Sequence, residues 1–138
     1  MVDPIELTHL HGTNVRDLRP VKFGTQPGVT MTDAYTDGVV IDSAQLGMTT
    51  VVIYNSGANS LDFKIYGHLD ENGGTQPTFD GTWVEIPKDD SEVTLATDKA
   101  TGDRIIEDWA WLLIRFKRTT AGQDTTADVT VRSRQSRF

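Results

Sequence analysis

From residue 35 onward the chain has the pattern of short strands between turns, and in some of them apolar and polar residues alternate with the period of two that is typical of β-strands. The clearest example is S-L-D-F-K-I-Y-G-H-L-D (60–70). Period two places Leu61, Phe63 and Ile65 on one face of a strand and the charged and polar residues between them on the other. A sheet with one dry and one wet face is what a β-sandwich needs.

Turn residues divide this part of the chain into short segments, each of which we predict to be a strand. The predicted strands are residues 36–42, 48–55, 60–70, 82–87, 91–97, 110–119 and 127–134. Residues 98–104 are predicted to be a loop, and the spacing in 105–109 fits either a helical turn or the start of a strand. No segment has the pattern of an amphipathic helix. The pattern therefore predicts an all-β fold, an antiparallel β-sandwich or jelly-roll-like barrel of about seven or eight short strands.

The first 34 residues lack this alternation and contain three prolines, at positions 4, 20 and 27. Proline has no backbone N–H to donate to a sheet, and it biases the residue before it toward extended backbone. We therefore predict an extended N-terminal arm over residues 1–34, with a short strand near 21–25. The β-sandwich domain is predicted to cover residues 35–138.

Length and composition fit one domain with a single core, since the chain has 138 residues of which 37% are hydrophobic. The chain has no cysteine, which excludes disulfides and thiolate chemistry. Its first residues, M-V-D-P-I-E-L, carry acids early, so no signal peptide is expected. The apolar run W-A-W-L-L-I (109–114) is much shorter than the roughly 20 residues of a membrane span.

The net charge of −7 makes nucleic acid an improbable partner, because an acidic body repels phosphate. The end of the chain is different: V-R-S-R-Q-S-R-F (131–138) carries Arg132, Arg134 and Arg137 and no acid. This end is either a solvated terminus or a basic segment that docks on an acidic neighbouring subunit. Sequence alone leaves both interpretations open.

Candidate metal and catalytic motifs are incomplete. His9 and His11 form an H-x-H pair without a third ligand at a recognisable spacing. The segment D-E-N-G-G (70–74) begins like a calcium loop but lacks the later oxygen ligands. There is no G-x-S-x-G motif, P-loop or dinucleotide fingerprint. We therefore predict a protein that is not an enzyme, with no cofactor and no metal.

Aromatic residues offer one further possibility. Trp83, Trp109 and Trp111, with two tyrosines, could form a platform on which sugars stack, although packing in a core is the commoner role of Trp in strands. Period two in the strand from residue 110 turns Trp111 and Leu113 outward. These two side chains are candidates either for a subunit interface or for a second core layer.

The order of the segments resembles a known group of proteins. V-V-I-Y-N-S-G-A-N-S-L-D-F-K-I-Y-G (51–67) is followed by W-V-E-I, V-T-L-A-T, E-D-W-A-W-L-L-I-R-F-K-R-T-T-A-G and a last V-T-V strand. This order, over roughly residues 48–134, resembles the small β-sandwich head decoration proteins (cement or auxiliary proteins) of tailed bacteriophages and related viruses. The resemblance is one of strand pattern and turn style.

The resemblance implies a non-enzymatic structural protein that binds the outside of a capsid and links neighbouring subunits. The expected partners are the major capsid protein and copies of the chain itself, as a homotrimer, with no nucleic acid, membrane or small-molecule substrate. The expected location is the virion surface, after synthesis in the host cytoplasm. The alternative is a carbohydrate- or receptor-binding β-sandwich module of a phage tail or fibre.

The residues expected to make these contacts lie in the arm, on the outward face of the strand from residue 110, and at the basic end. They are Ile5, Leu7, Leu10, Val15, Leu18, Val21, Phe23, Trp111, Leu113, Arg132, Arg134, Arg137 and Phe138.

Overall fold

The structure of the chain is a computed structural model that describes residues 21–44, 47–86 and 92–134. The described residues form nine strands and one short 3-10 turn, Asn72–Gly74. The strands are β1 (Val21–Thr30), β2 (Thr36–Asp42), β3 (Met48–Asn55), β4 (Leu61–His68), β5 (Val84–Ile86), β6 (Val93–Leu95), β7 (Ala100–Ile105), β8 (Trp111–Arg118) and β9 (Thr126–Arg134). None of the described residues belongs to a helix that could cross a membrane.

The strands form two antiparallel sheets that pack face to face. The first sheet has the order β1-β9-β3-β7, and the second has the order β2-β8-β4 with β5 and β6 both paired to β4. Apart from β4 to β6, each strand lies in the opposite sheet from the strand before it. This is the strand order of a double-sheet jelly roll. The predicted all-β, jelly-roll-like sandwich is confirmed.

Seven of the nine strands lie where the sequence pattern placed them, and β7 does not. Residues 98–104 were expected to be a loop because A-T-G-D-R-I contains Gly and Asp and few residues that favour strands. The segment is extended because β7 is an edge strand that pairs with β3 from Thr49↔Ile105 to Tyr54↔Ala100. Pairing with a strongly β-forming neighbour decides its conformation.

Strand β1 belongs to the first sheet, although the sequence assigned residues 21–30 to an arm with a strand only near 21–25. It pairs with β9 from Val21↔Arg134 to Thr30↔Thr126, with an irregularity between Gln26 and Val29. The arm boundary at residue 34 is therefore corrected over this stretch, because pairing with β9 supplies an order that the residues' own pattern does not show. Residues 1–20 lie outside the described residues, and for them the arm stays a prediction.

The core between the sheets consists of the inward residues of the central strands. Val51 and Ile53 of β3 face Leu112, Ile114 and Phe116 of β8, and each is at most 1% exposed. Burying a side chain of this size contributes about 1.5–3 kcal/mol. The sandwich is therefore held mainly by the apolar rows of its central strands.

A buried amide joins the turn after β3 to the rest of the fold. Asn55 is fully buried, and its Nδ2 donates to the carbonyl oxygens of Asn59 (2.8 Å) and Leu95 (2.9 Å). Its Oδ1 accepts from the backbone N–H of Gly57 (3.0 Å) and from Thr125 Oγ1 (2.8 Å). The side chain thus uses its two donor and two acceptor positions, which stabilises a buried polar group.

A second apolar layer covers the outer face of the second sheet. It contains Tyr66, Trp83, Trp111 and Leu113, packed with Phe79. The indole N–H of Trp83 donates to the carbonyl of residue 78, and that of Trp111 donates to the carbonyl of residue 71. These hydrogen bonds fix the segment between β4 and β5 over the sheet.

This layer corrects the prediction that Trp111 and Leu113 face a neighbouring subunit. Both point away from the main core, as period two requires, but Trp111 is 7% exposed and Leu113 is 0% exposed. The chain's own Phe79 and Trp83 cover them. Of the two interpretations that the sequence left open, the second core layer is the one that the structure has.

Gly67 provides a test of how tightly the core between the sheets is packed at its Trp109 end. A Cβ at Gly67 would lie 2.3 Å from the Trp109 ring, whereas a Cβ at Gly102 of β7 would meet nothing nearer than 3.9 Å. We expect Gly67→Ala to lower the free energy of unfolding by about 1–3 kcal/mol through overpacking. The matched control Gly102→Ala should change it by less than about 0.5 kcal/mol. Urea unfolding measures both, and equal effects of the two substitutions would contradict this packing.

Candidate interaction surface

One side of the sandwich is open. Strands β1 and β2 are edge strands of the first and second sheet, and a groove of about 340 Å³ lies between them. Residues 23–26 line it on the β1 side and residues 39–42 on the β2 side. Val129 and Val131 of β9 complete the lining. The groove is mainly apolar: of its lining residues, Val39, Ile41 and Val129 are buried, whereas Phe23 and Val40 are exposed.

The open side follows from the residues that β1 turns toward the core. Cross-strand partners share a face, and Gly24 and Gln26 pair with the inward-facing Val131 and Val129. Gly24 offers no side chain, and a Cβ built on it would meet no atom within 4 Å. Gln26 is exposed. At these positions β1 completes the hydrogen bonding of the sheet without filling the core.

Two predicted contact residues from opposite ends of the chain stand side by side on the outer face of the first sheet, where Phe23 also borders this groove. Phe23 on β1 and Arg132 on β9 are cross-strand partners. Phe23 is 55% exposed and Arg132 is exposed. Among the described residues, no carboxylate lies within ion-pair distance of Arg132. We call Phe23 and Arg132 the rim pair.

The other predicted contact residues are distributed around this corner or lie outside the described residues. Val21 and Arg134 pair through their backbones at the same end of the first sheet, and Arg134 also pairs with Met48 of β3. The remaining ones, Ile5, Leu7, Leu10, Val15, Leu18, Arg137 and Phe138, lie outside the described residues, as does the His9–His11 pair.

The opposite face of the molecule carries a closed polar network rather than an open site. Asp62 was expected on the wet face of β4 but is 4% exposed. Its Oδ1 accepts from Thr94 Oγ1 (2.8 Å) and Thr119 Oγ1 (2.6 Å), and its Oδ2 lies 3.5 Å from Lys117 Nζ. These partners satisfy the hydrogen-bonding oxygens of a buried side chain. It supports the fold and has no open position for a substrate.

Tyr35 closes the same network. Lys64 Nζ and Lys117 Nζ each lie 5.5 Å from the centre of its ring, within the range of cation–π attraction. Its hydroxyl donates to Glu92. Burial, together with this hydrogen bond, raises the pKa of Tyr35 above its ordinary value, so the phenol stays protonated and acts as a donor.

Arg118 connects two loops at the end of the sandwich where β8 ends. Its guanidinium pairs with Asp33, in the β1–β2 loop, and with Asp124, in the β8–β9 loop. The backbone N–H of Gly122 also donates to Asp33 (2.9 Å), and this bond, followed by the Arg118 contact, lowers the pKa of the Asp33 carboxyl. Both carboxylates are engaged in holding the loops.

Neither a metal centre nor a sugar platform is found among the described residues. They contain no group of three or more His, Asp and Glu side chains that could hold a metal ion. Trp83, Trp111 and Tyr66 are buried, and Phe23 is the one aromatic residue of the described ranges that is largely exposed. A carbohydrate site of the stacking kind would need at least a second one beside it.

Comparisons with known proteins give distant structural similarities. No protein-family model and no curated protein sequence matches the chain. Similar solved structures include the SPBc2 prophage-derived protein YomS, with 18% identity, a TM-score of 0.46, and 82% of this chain and 95% of that chain covered. The Yersinia pseudotuberculosis-derived mitogen has 9% identity and a TM-score of 0.48 over 80% of this chain and 84% of that chain. The Tobacco streak virus coat protein has 7% identity and a TM-score of 0.36 over 86% and 88%. At these values the likenesses carry no argument about function.

The rim pair could not be found from the sequence, because Phe23 and Arg132 are 109 positions apart and only the β1–β9 register brings them together. The groove has a weak trace in the sequence. Gly24 and Gln26 follow Lys22 in the non-apolar series of V-K-F-G-T-Q (21–26), but which face this series occupies depends on the register.

The closed network predicts different costs for two aspartates. Asp62→Asn replaces an acceptor by an amide that presents donors to Lys117 or to the two threonines, so we expect a loss of about 1–3 kcal/mol in the free energy of unfolding. Asp37, 43% exposed and paired with Arg115, is the control, and Asp37→Asn should cost at most about 1 kcal/mol. Urea unfolding at neutral pH compares them. An equal cost, or a larger cost at Asp37, would show that the Asp62 network is not structural.

Proposed function

We propose that the chain is a non-enzymatic structural protein of a tailed-phage virion, which binds the outer shell of the capsid and links neighbouring subunits. The observation that carries this proposal is the rim pair. Two residues singled out as contact residues for independent reasons stand side by side on an exposed corner. The corner adjoins the open groove between β1 and β2.

The chemistry of the corner suits a protein partner. Phenylalanine and arginine are enriched in protein interfaces, where an aromatic ring supplies contact area and a guanidinium supplies directed hydrogen bonds. Arg132 has no ion-pair partner among the described residues, and Arg104 lies in the same row of the first sheet through Thr50. The chain as a whole carries a net charge of −7. The rim pair is thus a local basic and aromatic patch on an acidic body, and it would select an acidic, partly apolar surface.

The proposed partners are the major capsid protein and further copies of the chain, arranged as a homotrimer on the capsid surface. The resemblance to head decoration proteins supports this assignment, and a jelly-roll body is consistent with it. A contact of modest strength is sufficient in such an assembly, because linked copies multiply its effect. The same fold serves many functions, so the proposal depends on the corner and on the resemblance.

Binding to particles tests the proposal. Purified chain is mixed with particles of the virus that encodes it, and the bound fraction is measured by cosedimentation. We expect Arg132→Glu and Phe23→Ser each to weaken binding about tenfold or more, as for residues at the centre of an interface.

The control is Lys99→Glu, which makes the same change of charge sign at an exposed position beside the far end of the first sheet. It should leave binding within about twofold of the wild type, which corresponds to roughly 0.4 kcal/mol. Failure of the unchanged chain to bind particles would overturn the function. Normal binding by both rim variants would exclude the rim pair as the contact.

A further inference from the structure

We propose that the groove between β1 and β2 is an acceptor site for the N-terminal segment around Ile5 and Leu7 of a second copy of this chain. The proposal rests on the proposed function, since it names how neighbouring copies are linked. It begins from the groove itself, which is apolar, measures about 340 Å³, and is lined by edge strands on both sides. Grooves of this kind are where extended peptides add to a sheet.

The backbones of β1 and β2 have hydrogen-bonding groups available for an added strand. Within the described residues, β1 pairs only with β9 and β2 pairs only with β8. The other edge of each strand therefore presents N–H and C=O groups without a strand partner. An extended segment could pair with either edge while its side chains enter the groove.

The space in the groove suits apolar side chains. Val39 and Ile41 of β2 are buried. The β1 residues that face the same space are Gly24 and Gln26, which supply no apolar side chain to it. Val40 and Phe23, at the two rims, are 37% and 55% exposed. Each aliphatic side chain that fills this space would contribute about 1.5–3 kcal/mol from burial.

The N-terminal segment has a matching sequence. In D-P-I-E-L (3–7), Ile5 and Leu7 alternate around Glu6, so an extended backbone turns both aliphatic side chains to one face. The segment also carries Asp3 and Glu6 and no basic residue, and Glu6 would point away from the groove when Ile5 and Leu7 enter it.

The direction of the chain before β1 favours the segment of a second copy over the chain's own, and the length of the segment is sufficient to reach a neighbouring molecule. Pro20 stands directly before β1 and biases Arg19 toward extended backbone, which favours a chain that continues away from β1 and not one that turns back beside it. The fourteen residue steps from Leu7 to Val21 span up to ~46 Å, more than the ~33 Å of the ten-residue β1. Leu7 can therefore reach a neighbouring molecule. A tethered segment has a high effective concentration for its own groove, so docking within one chain is the competing outcome.

Engineered disulfides separate these outcomes, because the chain has no cysteine of its own. A full-length chain with Leu7→Cys is mixed with a full-length chain with Gly24→Cys and oxidised gently, and the products are separated on a non-reducing gel. The pair Ile5→Cys and Gln26→Cys tests the next position of β1 that faces the groove. We expect a disulfide between the two different chains in at least one pair, since the bond requires Cα atoms within about 7 Å.

The control replaces Gly24→Cys with Gly102→Cys, an exposed glycine of β7 at the other edge of the same sheet. It should give no linked product above that from random collision. Linkage only inside a single chain that carries both cysteines would overturn the proposal in favour of the chain's own groove. If no pair forms a disulfide, the groove is not the acceptor site.

Solution mass gives a second, independent measure. In the full-length chain, Ile5→Asp with Leu7→Asp should convert oligomer to monomer in sedimentation equilibrium, whereas Thr8→Asp, which adds one charge at a polar position of the same segment, should not. An unchanged oligomer would overturn the proposal.

The particle-binding assay stays separate: Arg132→Glu should weaken binding to particles without abolishing the cysteine linkage. If no cysteine linkage forms while particle binding is normal, the groove proposal is wrong and the proposed function still stands.

Discussion

The fold depends on mutual coverage of two sheets by alternating apolar rows. Val51 and Ile53 from one sheet and Leu112 and Ile114 from the other exclude water because each row finds a matching row opposite. Apolar rows face each other across the centre of the sandwich, but the first half of β1 supplies no such row. There the sheet continues by hydrogen bonding while Gly24 supplies no side chain to the core. The open groove is the direct consequence.

The chain's own residues therefore cover the outer face of one sheet and leave the side between β1 and β2 uncovered. The outer face of the second sheet is covered by the segment between β4 and β5, which places Trp83 over Trp111 and Leu113. Beside this layer, Asp62, Lys117 and Tyr35 form a network in which the buried acceptors have donors. The side bounded by β1 and β2 has neither cover, and it exposes Phe23 and Val40. An exposed apolar edge tends to find a partner strand, and proteins that remain monomeric usually protect it.

Much of the fold could be predicted from sequence because the central strands carry strong local signals. Residues 48–55 and 110–119 are rich in β-branched and aliphatic residues, and both form strands within a residue or two of the predicted bounds. Strand β7 could not be predicted, since its conformation comes from its neighbour β3. The burial of Trp111 followed from a loop whose path the period of two does not encode. The rim pair depends on the β1–β9 register, which is a property of the tertiary fold.

Hydrogen exchange at the edges of the groove tests the central claim most directly. The amides of Phe23–Gln26 and Val39–Asp42 are followed by mass spectrometry or NMR while the full-length chain is raised from dilute to concentrated solution. If a second copy fills the groove, exchange at these amides slows with concentration, while Val51, in the centre of the first sheet, keeps the same protection throughout. Exchange at the groove that is independent of concentration would contradict the account.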